Sequence, residues 1–319
     1  MVDAQAVARA FALGDPLGGA TEVGRGEQGV VWRLATDGGT WAVKVLTGPA
    51  DEASAAADVA FQELAAARVE LPRPRRTVAG TVLLAADAAG ADGPVRVSAW
   101  VDLDPGVTAT PADLGRVIAA LHLVDAPADR DVEPWFADGV DAATWDGLLA
   151  AGRAAGEPWV PGLDRAVPLL LDLARVVVPA DPARLRTCHR DLNDVNVRRT
   201  RSGGLVVLDW EGSGPADPAR ELCALLVVQT LRAPVDRAVE LYAAYRRTGG
   251  PARVRDLADF STVSVLADNL VALYARATLD PHAAEPQRAF SRQQLDWMLA
   301  DPSRVSLPAV EHLLARLGP

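Results

Sequence analysis

The sequence predicts an α+β protein of two lobes: an N-terminal antiparallel-sheet lobe over 1–98, a hinge over 99–105 and a larger, mainly helical C-terminal lobe over 106–319. Two observations carry that prediction. Over 21–46, short runs rich in Val and Trp are broken at the glycines of 24–29 and at Asp37-Gly38-Gly39, the texture of hairpins in an antiparallel sheet. After Val101 the chain turns to long stretches of helical texture. A length of 319 residues exceeds one typical core and agrees with two units.

In chain order, 3–13 is expected to be a short helix stopped by Gly14 and Pro16. Segment 51–68 is Ala-rich and free of Gly and Pro, hence a helix, and Pro72 and Pro74 end that region. Strands are expected at 77–79, 81–85 and 94–101. In the second lobe Thr110 caps a helix that Pro111 opens and that runs to Leu123. Further helices are expected at 142–155, 164–177, 217–231, 235–247, 255–278 and 285–299, and 186–210 has strand-like flanks around a polar loop.

Composition removes several function classes. Half the residues are hydrophobic, too many for a disordered chain. The formal charge is −10, from 42 acidic against 32 basic residues, which speaks against a general nucleic-acid binder. Cys188 and Cys223 cannot build a disulfide framework and point to a reducing cytoplasm. His122, His189, His282 and His312 lie far apart with no CxxC or HExxH, which argues against a histidine or cysteine zinc site. Segment 1–15 has no basic start followed by an apolar core, and apolar runs such as 222–228 fall short of the roughly 18 residues of a membrane span. The expectation is a soluble, cytoplasmic protein with neither nucleic acid nor membrane as partner; its oligomeric state is left open.

Gly24, Gly26 and Gly29 form a GxGxxG string that fits three readings. A dinucleotide fold needs a helix directly after the last glycine, but Val30-Val31-Trp32-Arg33-Leu34 is extended. A Walker loop needs Lys and Ser or Thr there, and Val30 and Val31 occupy those places. What remains is a glycine hairpin whose backbone N–H groups approach nucleotide phosphates. It predicts a lysine on the next strand, and Lys44 is there, in Val43-Lys44-Val45, as the only lysine of the chain. The alternative is a strand-end lysine reaching solvent. An inward ammonium needs an anionic partner on the following helix. Glu63 is the expected one, with Glu52 as rival at the helix start, where acids are favoured by the dipole alone.

A second cluster is sharper. His189, Asp191 and Asn196 form HxDxxxxN, followed by the apolar run Leu205-Val206-Val207-Leu208 ending in Asp209. A hard cation such as Mg²⁺ takes one or two protein carboxylates with phosphates and water. Asp209 and Asn196 can supply oxygen ligands, leaving Asp191 to accept a hydroxyl proton. Each alone could be an ordinary loop cap; together, downstream of the glycines and Lys44, they describe phosphoryl transfer.

With these motifs the sequence resembles the aminoglycoside phosphotransferase and choline kinase family, of protein-kinase-like fold, over about 21–278. The resemblance implies ATP (GTP being open) and Mg²⁺ as cofactors, Asp191 as catalytic aspartate, and Asn196 and Asp209 as metal ligands. It implies that Lys44 holds the α- and β-phosphates, that Ala99 to Val101 present backbone groups to the adenine, and that His189 and Asp217 are structural. Glu211 then stands near the metal. Protein kinases instead resemble HRDLKxxN and DFG, where this chain has Asn193 and Asp209-Trp210-Glu211, and their long activation segment is missing before the helix expected at Asp217. The function implied is transfer of the γ-phosphate of ATP to a hydroxyl of a small polar molecule: an aminoglycoside or other antibiotic, a sugar or an amino alcohol. A catalytically silent nucleotide-binding module and a protein kinase are the alternatives.

The acceptor, cationic if it is an aminoglycoside, would meet acids of the second lobe. Asp268 has apolar neighbours and, with Asn269 and Glu211, is a candidate acceptor contact; most other acids there are explained as solvated helix faces. Trp135, Trp145, Trp159 and Trp210 either form an aromatic box for a cation or fill the core.

Overall fold

The computed structural model describes residues 2–26, 29–48, 50–128 and 130–318. Helix α1 (Ala4–Ala10) starts where the Asp3 carboxylate accepts from the N–H groups of Gln5 and Ala6, both at 3.0 Å. Strands β1 (Thr21–Gly26), β2 (Gly29–Thr36) and β3 (Gly39–Leu46) lead to helix α2 (Glu52–Ala65), capped by Asp51. Next come β4 (Pro74–Arg75), α3 (Ala86–Ala89), β5 (Val95–Ala99) and β6 (Leu103–Thr108). Helices α4 (Pro111–His122), α5 (Pro134–Ala137), α6 (Ala142–Ala155) and α7 (Val160–Leu173) precede β7 (Arg186–Cys188), β8 (Val197–Thr200), β9 (Leu205–Val207) and β10 (Gly214–Ala216). Helices α8 (Pro218–Arg232), α9 (Asp236–Arg247), α10 (Ser261–Leu279), α11 (Glu285–Leu299) and α12 (Leu307–Leu317) follow.

Two compact units divide the chain. The first comprises Met1–Thr110, Val124–Ala126 and His189–Gly214. Its main sheet has the order β1-β2-β3-β5-β4, with antiparallel neighbours throughout. On β3, Val43 and Val45 join Val7, Phe11, Leu34, Val95 and Val97 in the core. Strand alternation turns Lys44 to the opposite face, where Arg96 of β5 is its cross-strand partner. A smaller sheet, β6-β8-β9, carries the hairpin β8–β9.

Segments 77–79 and 81–85, expected as strands, are not. A turn holds them: Thr77 N–H donates to Thr81 O at 2.8 Å, the two hydroxyls pair at 2.7 Å, and Gly80 takes φ 86°. Among the described residues of this segment, Leu84 bridges to the sheet, at Val95. The fourth strand is instead β4, which begins at Pro74; a proline, lacking an N–H, is tolerated on such an edge strand. β6 overlaps the segment expected as hinge, and α12 had no counterpart in the sequence expectation.

The second unit comprises Pro111–Leu123, Pro127–Cys188 and Pro215–Pro319. Trp145, Trp159, Leu163, Val271, Ala272 and Leu295 fill one core of it, around α10. The helical stretch Leu257–Leu279 is long and apolar enough to cross a membrane by length and composition, and 56% of its apolar window is buried inside the structure. His122 of α4 bonds through Nδ1 to the Tyr245 hydroxyl at 2.9 Å and through Nε2 to Glu221 at 2.6 Å, fastening α4 to α9 and α8. Helices α4 and α9 pack closely at Gly115, where an added Cβ would stand 2.3 Å from Leu241 O and 2.9 Å from Ala244 Cβ. Gly115→Ala therefore forces the helices apart and is expected to cost about 1–3 kcal/mol. A lower Tm by circular dichroism checks this; an unchanged Tm would mean that the packing yields freely.

Candidate active site

The site forms in the first unit, around Lys44. Its Nζ lies 2.8 Å from Asp209 Oδ1 and 3.0 Å from Glu211 Oε1. Burial alone would lower the lysine, but Glu211 and Asp209 outweigh it and raise its pKa. Burial, then the neighbouring Glu211, pushes Asp209 up to about 6. Burial acts the same way on Glu211, yet Arg96, the hydrogen bond with Asp209 and Lys44 together hold it below the usual carboxylate range. Ion pairing to Arg96, at 3.5 Å, thus keeps Glu211 anionic.

The β8–β9 hairpin explains how distant residues meet. Val197 pairs with Val207, and Leu208 N–H donates to Asn196 O at 2.8 Å, so Asn196 and Asp209 leave the hairpin side by side. Asp209 sits in the left-handed region at φ 58°, and Arg190 at φ 67°. Such strain in non-glycine residues gathers at functional sites. Arg190 holds its turn by donating from Nε to Gly212 O at 2.6 Å and from Nη2 to Ser213 O at 3.2 Å. His189 Nε2 donates to Leu208 O at 3.0 Å, while its Nδ1 accepts from Asp191 N–H at 3.4 Å, the architectural contacts the resemblance implied.

Both carboxylate oxygens of Asp191 receive a side-chain amide. Asn196 Nδ2 donates to Oδ2 at 2.7 Å and Asn193 Nδ2 to Oδ1 at 3.1 Å. Asn193 in turn accepts from the N–H groups of Val195 and Asn196 at 2.8 and 3.0 Å, which orders the loop. Burial raises the pKa of Asp191 against the pull of His189 and the two asparagines. With its nitrogen engaged on Asp191, Asn196 has its amide oxygen for a cation, to which Asp209, its neighbour across the base of the hairpin, can add a carboxylate. An amide oxygen and a carboxylate, without nitrogen or sulfur, fit Mg²⁺.

Gly24, Gly26 and Gly29 occupy the β1–β2 hairpin, with Gly24 paired to Val31 and Gly26 to Gly29; Glu27 and Gln28 lie outside the described residues. A Cβ on Gly24 or Gly26 would meet nothing within 4 Å, whereas one on Gly29 would stand 2.2 Å from Val45 O. Only Gly29 is demanded by packing. Ala99 ends β5, its N–H donating to Arg73 O at 2.8 Å, and Val101 follows Trp100, whose N–H donates to Thr40 O at 3.0 Å.

Several expectations are corrected. Glu63 is not the partner of Lys44: it is 57% exposed and faces Arg76 at 3.5 Å. Helix α2 buries Ala55, Asp58, Val59 and Gln62, and Glu63 lies one step, about 100°, around from Gln62. The rival Glu52 accepts from Val82 and Leu83 N–H at 2.7 and 2.9 Å. Inward-facing Asp58 meets Arg96 at 3.6 Å instead. The sequence reading missed both residues, although an arginine flanked by Val95 and Val97 was a signal of a buried cation. Glu211, a candidate acceptor contact, is committed to Lys44 and Arg96. In the second unit Asp268 is 1% exposed, closed over by Gly139 and Val140, so it does not face an open cleft. Asn269 donates to the carbonyls of Trp135 and Asp138, both at 2.9 Å. Trp145 and Trp159 are core residues, and Trp210 packs edge-on against Phe61 and His189, so these three do not form a cation box.

A family model described as the phosphotransferase enzyme family matches residues 19–257. The fold is shared with solved structures at low identity. Spectinomycin phosphotransferase, in complex with ADP and spectinomycin, aligns at TM-score 0.65 and 15% identity, covering 93% of this chain and 92% of its own. A microcompartment-associated aminopropanol kinase aligns at 0.60 and 17%, covering 99% and 100%. A choline/ethanolamine kinase family protein from Mesorhizobium loti aligns at 0.54 and 20%, covering 95% and 94%. No curated protein matches the chain.

Proposed function

The chain belongs to the phosphotransferase enzyme family, and from that membership we propose that it is an ATP-dependent, Mg²⁺-requiring phosphotransferase that moves the γ-phosphate to a hydroxyl of a small polar molecule. The observation that carries this reading is the 2.8 Å contact between Lys44 Nζ and Asp209 Oδ1, in a unit that also holds Asp191 and Asn196. A phosphate-binding cation, two oxygen ligands for a metal and a base are thereby available together.

In this mechanism Lys44 leaves the two carboxylates to neutralise the α- and β-phosphates, and the β1–β2 hairpin covers them with its backbone. The Ala99 carbonyl and the Val101 N–H take the adenine edge. Mg²⁺, when held by Asn196 and Asp209, supplies positive charge on the phosphates. Asp191, held by the two asparagine amides, orients the acceptor hydroxyl and accepts its proton as the new oxygen–phosphorus bond forms. The bond from the γ-phosphorus to the bridging oxygen breaks, releasing ADP. Positioning and charge neutralisation do most of the work.

A protein acceptor is disfavoured because only the turn after Asp209 and the short strand β10 separate the metal acid from α8 at Pro218. The relatives of this fold are named for small acceptors, which supports the same choice. Measuring ADP release across a panel of aminoglycosides, other antibiotics, sugars and amino alcohols, with Mg²⁺ present, tests the reading. Turnover with one of them is expected; nucleotide binding without any turnover would favour a silent binding module. Lys44→Ala is expected to weaken ADP binding by about tenfold or more while circular dichroism stays that of the wild type. Equal loss of fold and binding would make the lysine structural.

A further inference from the structure

An arginine outside the sequence motifs stands behind the phosphate lysine. Arg96 is 9% exposed and lies opposite Lys44 in the β3–β5 register, so both cations project from the same face. Its Nη1 is 3.6 Å from Asp58 Oδ2 on α2 and 3.5 Å from Glu211 Oε1. Glu211 in turn touches Lys44 at 3.0 Å. A continuous chain of charges therefore runs from α2 to the lysine: Asp58, Arg96, Glu211, Lys44. Both contacts fall on one guanidinium nitrogen, so Arg96 stands between the two carboxylates as a shared cation, and a guanidinium keeps its charge when buried.

We infer that Arg96 is a positioning residue that ties helix α2 to the phosphate lysine and keeps Glu211 neutralised while Lys44 serves the nucleotide. The inference rests on the phosphotransferase reading above. When Lys44 turns from its carboxylates to phosphates, Glu211 would otherwise stand as an uncompensated buried anion beside an anionic ligand. Arg96 removes that repulsion. In protein kinases the same linkage is one bond, from the strand lysine to a helix glutamate. Here the helix contributes Asp58, and Arg96 with Glu211 spans the remaining distance.

Binding of a fluorescent ADP derivative with Mg²⁺, alongside steady-state KM and kcat, tests the inference. Arg96→Met is expected to weaken nucleotide binding by about tenfold or more and to raise the KM for ATP, leaving the KM for the acceptor unchanged. Adding Glu211→Gln to Arg96→Met removes the stranded charge and should recover most of the affinity, a rescue that a purely structural arginine would not give. Wild-type affinity in Arg96→Met, or a loss that Glu211→Gln leaves untouched, would overturn the inference while the phosphotransferase reading stands. Where Arg96→Met does not fold, Arg96→Lys, which keeps the charge, is compared with Arg96→Gln, which removes it; higher affinity in the lysine variant supports the inference and equal affinity in the two overturns it. Failure of the wild-type protein to bind ADP would sink the phosphotransferase reading itself, and this inference with it.

Discussion

Asp191→Asn is expected to lower turnover by about 10²–10⁴-fold while ADP binding stays close to that of the wild type. The carboxylate accepts one amide at each oxygen, at 2.7 and 3.1 Å. An asparagine keeps the shape but loses the ability to take a proton, and its NH₂ must face one of the two donors. Asn196 is the closer of the two donors, so the residual activity should also require more Mg²⁺ than that of the wild type. Steady-state ADP release and titration with a fluorescent ADP derivative separate the two effects. Turnover within tenfold of wild type would remove Asp191 from the role of base.

Asp268→Asn is expected to stabilise the protein increasingly as the pH rises. Burial pushes the Asp268 carboxyl from 3.8 up to about 7, with only the Val140 N–H acting against it. Its Oδ1 has no hydrogen-bond partner among the described residues. The folded chain thus holds the proton more tightly than the unfolded chain. The stability this lends is whole below about pH 4 and is gone once the pH has risen through about 7. Asparagine has no such proton to lose. Its advantage over the wild type should grow by roughly 2–3 kcal/mol between pH 5 and pH 8, measured by denaturant unfolding at each pH. A difference independent of pH would mean that Asp268 remains ionised in the fold.

What was legible in the sequence follows from how locally each feature is determined. Asp191 and Asn196 lie in one loop and a single hairpin brings Asp209 alongside, so the spacing carried these three; Asn193, marked in the sequence only as the place of a protein-kinase lysine, emerges as an Asp191 donor from the fold of the loop. Lys44 was legible because strand alternation gives it a face and its uniqueness gives it a purpose. Glu63 was misjudged because partner choice depends on the rotation of α2, a tertiary property that a lone acid in an Ala-rich helix does not reveal. Asp58 and Arg96 escaped for the same reason: their meeting depends on helix docking and on the pairing of β3 with β5. Apolar neighbours around Asp268 suit the lining of a cleft as well as the inside of a core, and here they are the inside of a core. Strands at 77–85 failed because Thr77, Gly80 and Thr81 satisfy one another in a turn.

The contact between Lys44 and Asp209 is the centre of the account, and a crystal structure with Mg²⁺ and a non-hydrolysable ATP analogue tests it most directly. The expected result is Lys44 Nζ on the α- and β-phosphate oxygens, with Asn196 and Asp209 sharing one cation and Asp191 open to the γ-phosphate. A nucleotide bound elsewhere, with Lys44 still paired to Asp209 and Glu211, would contradict it.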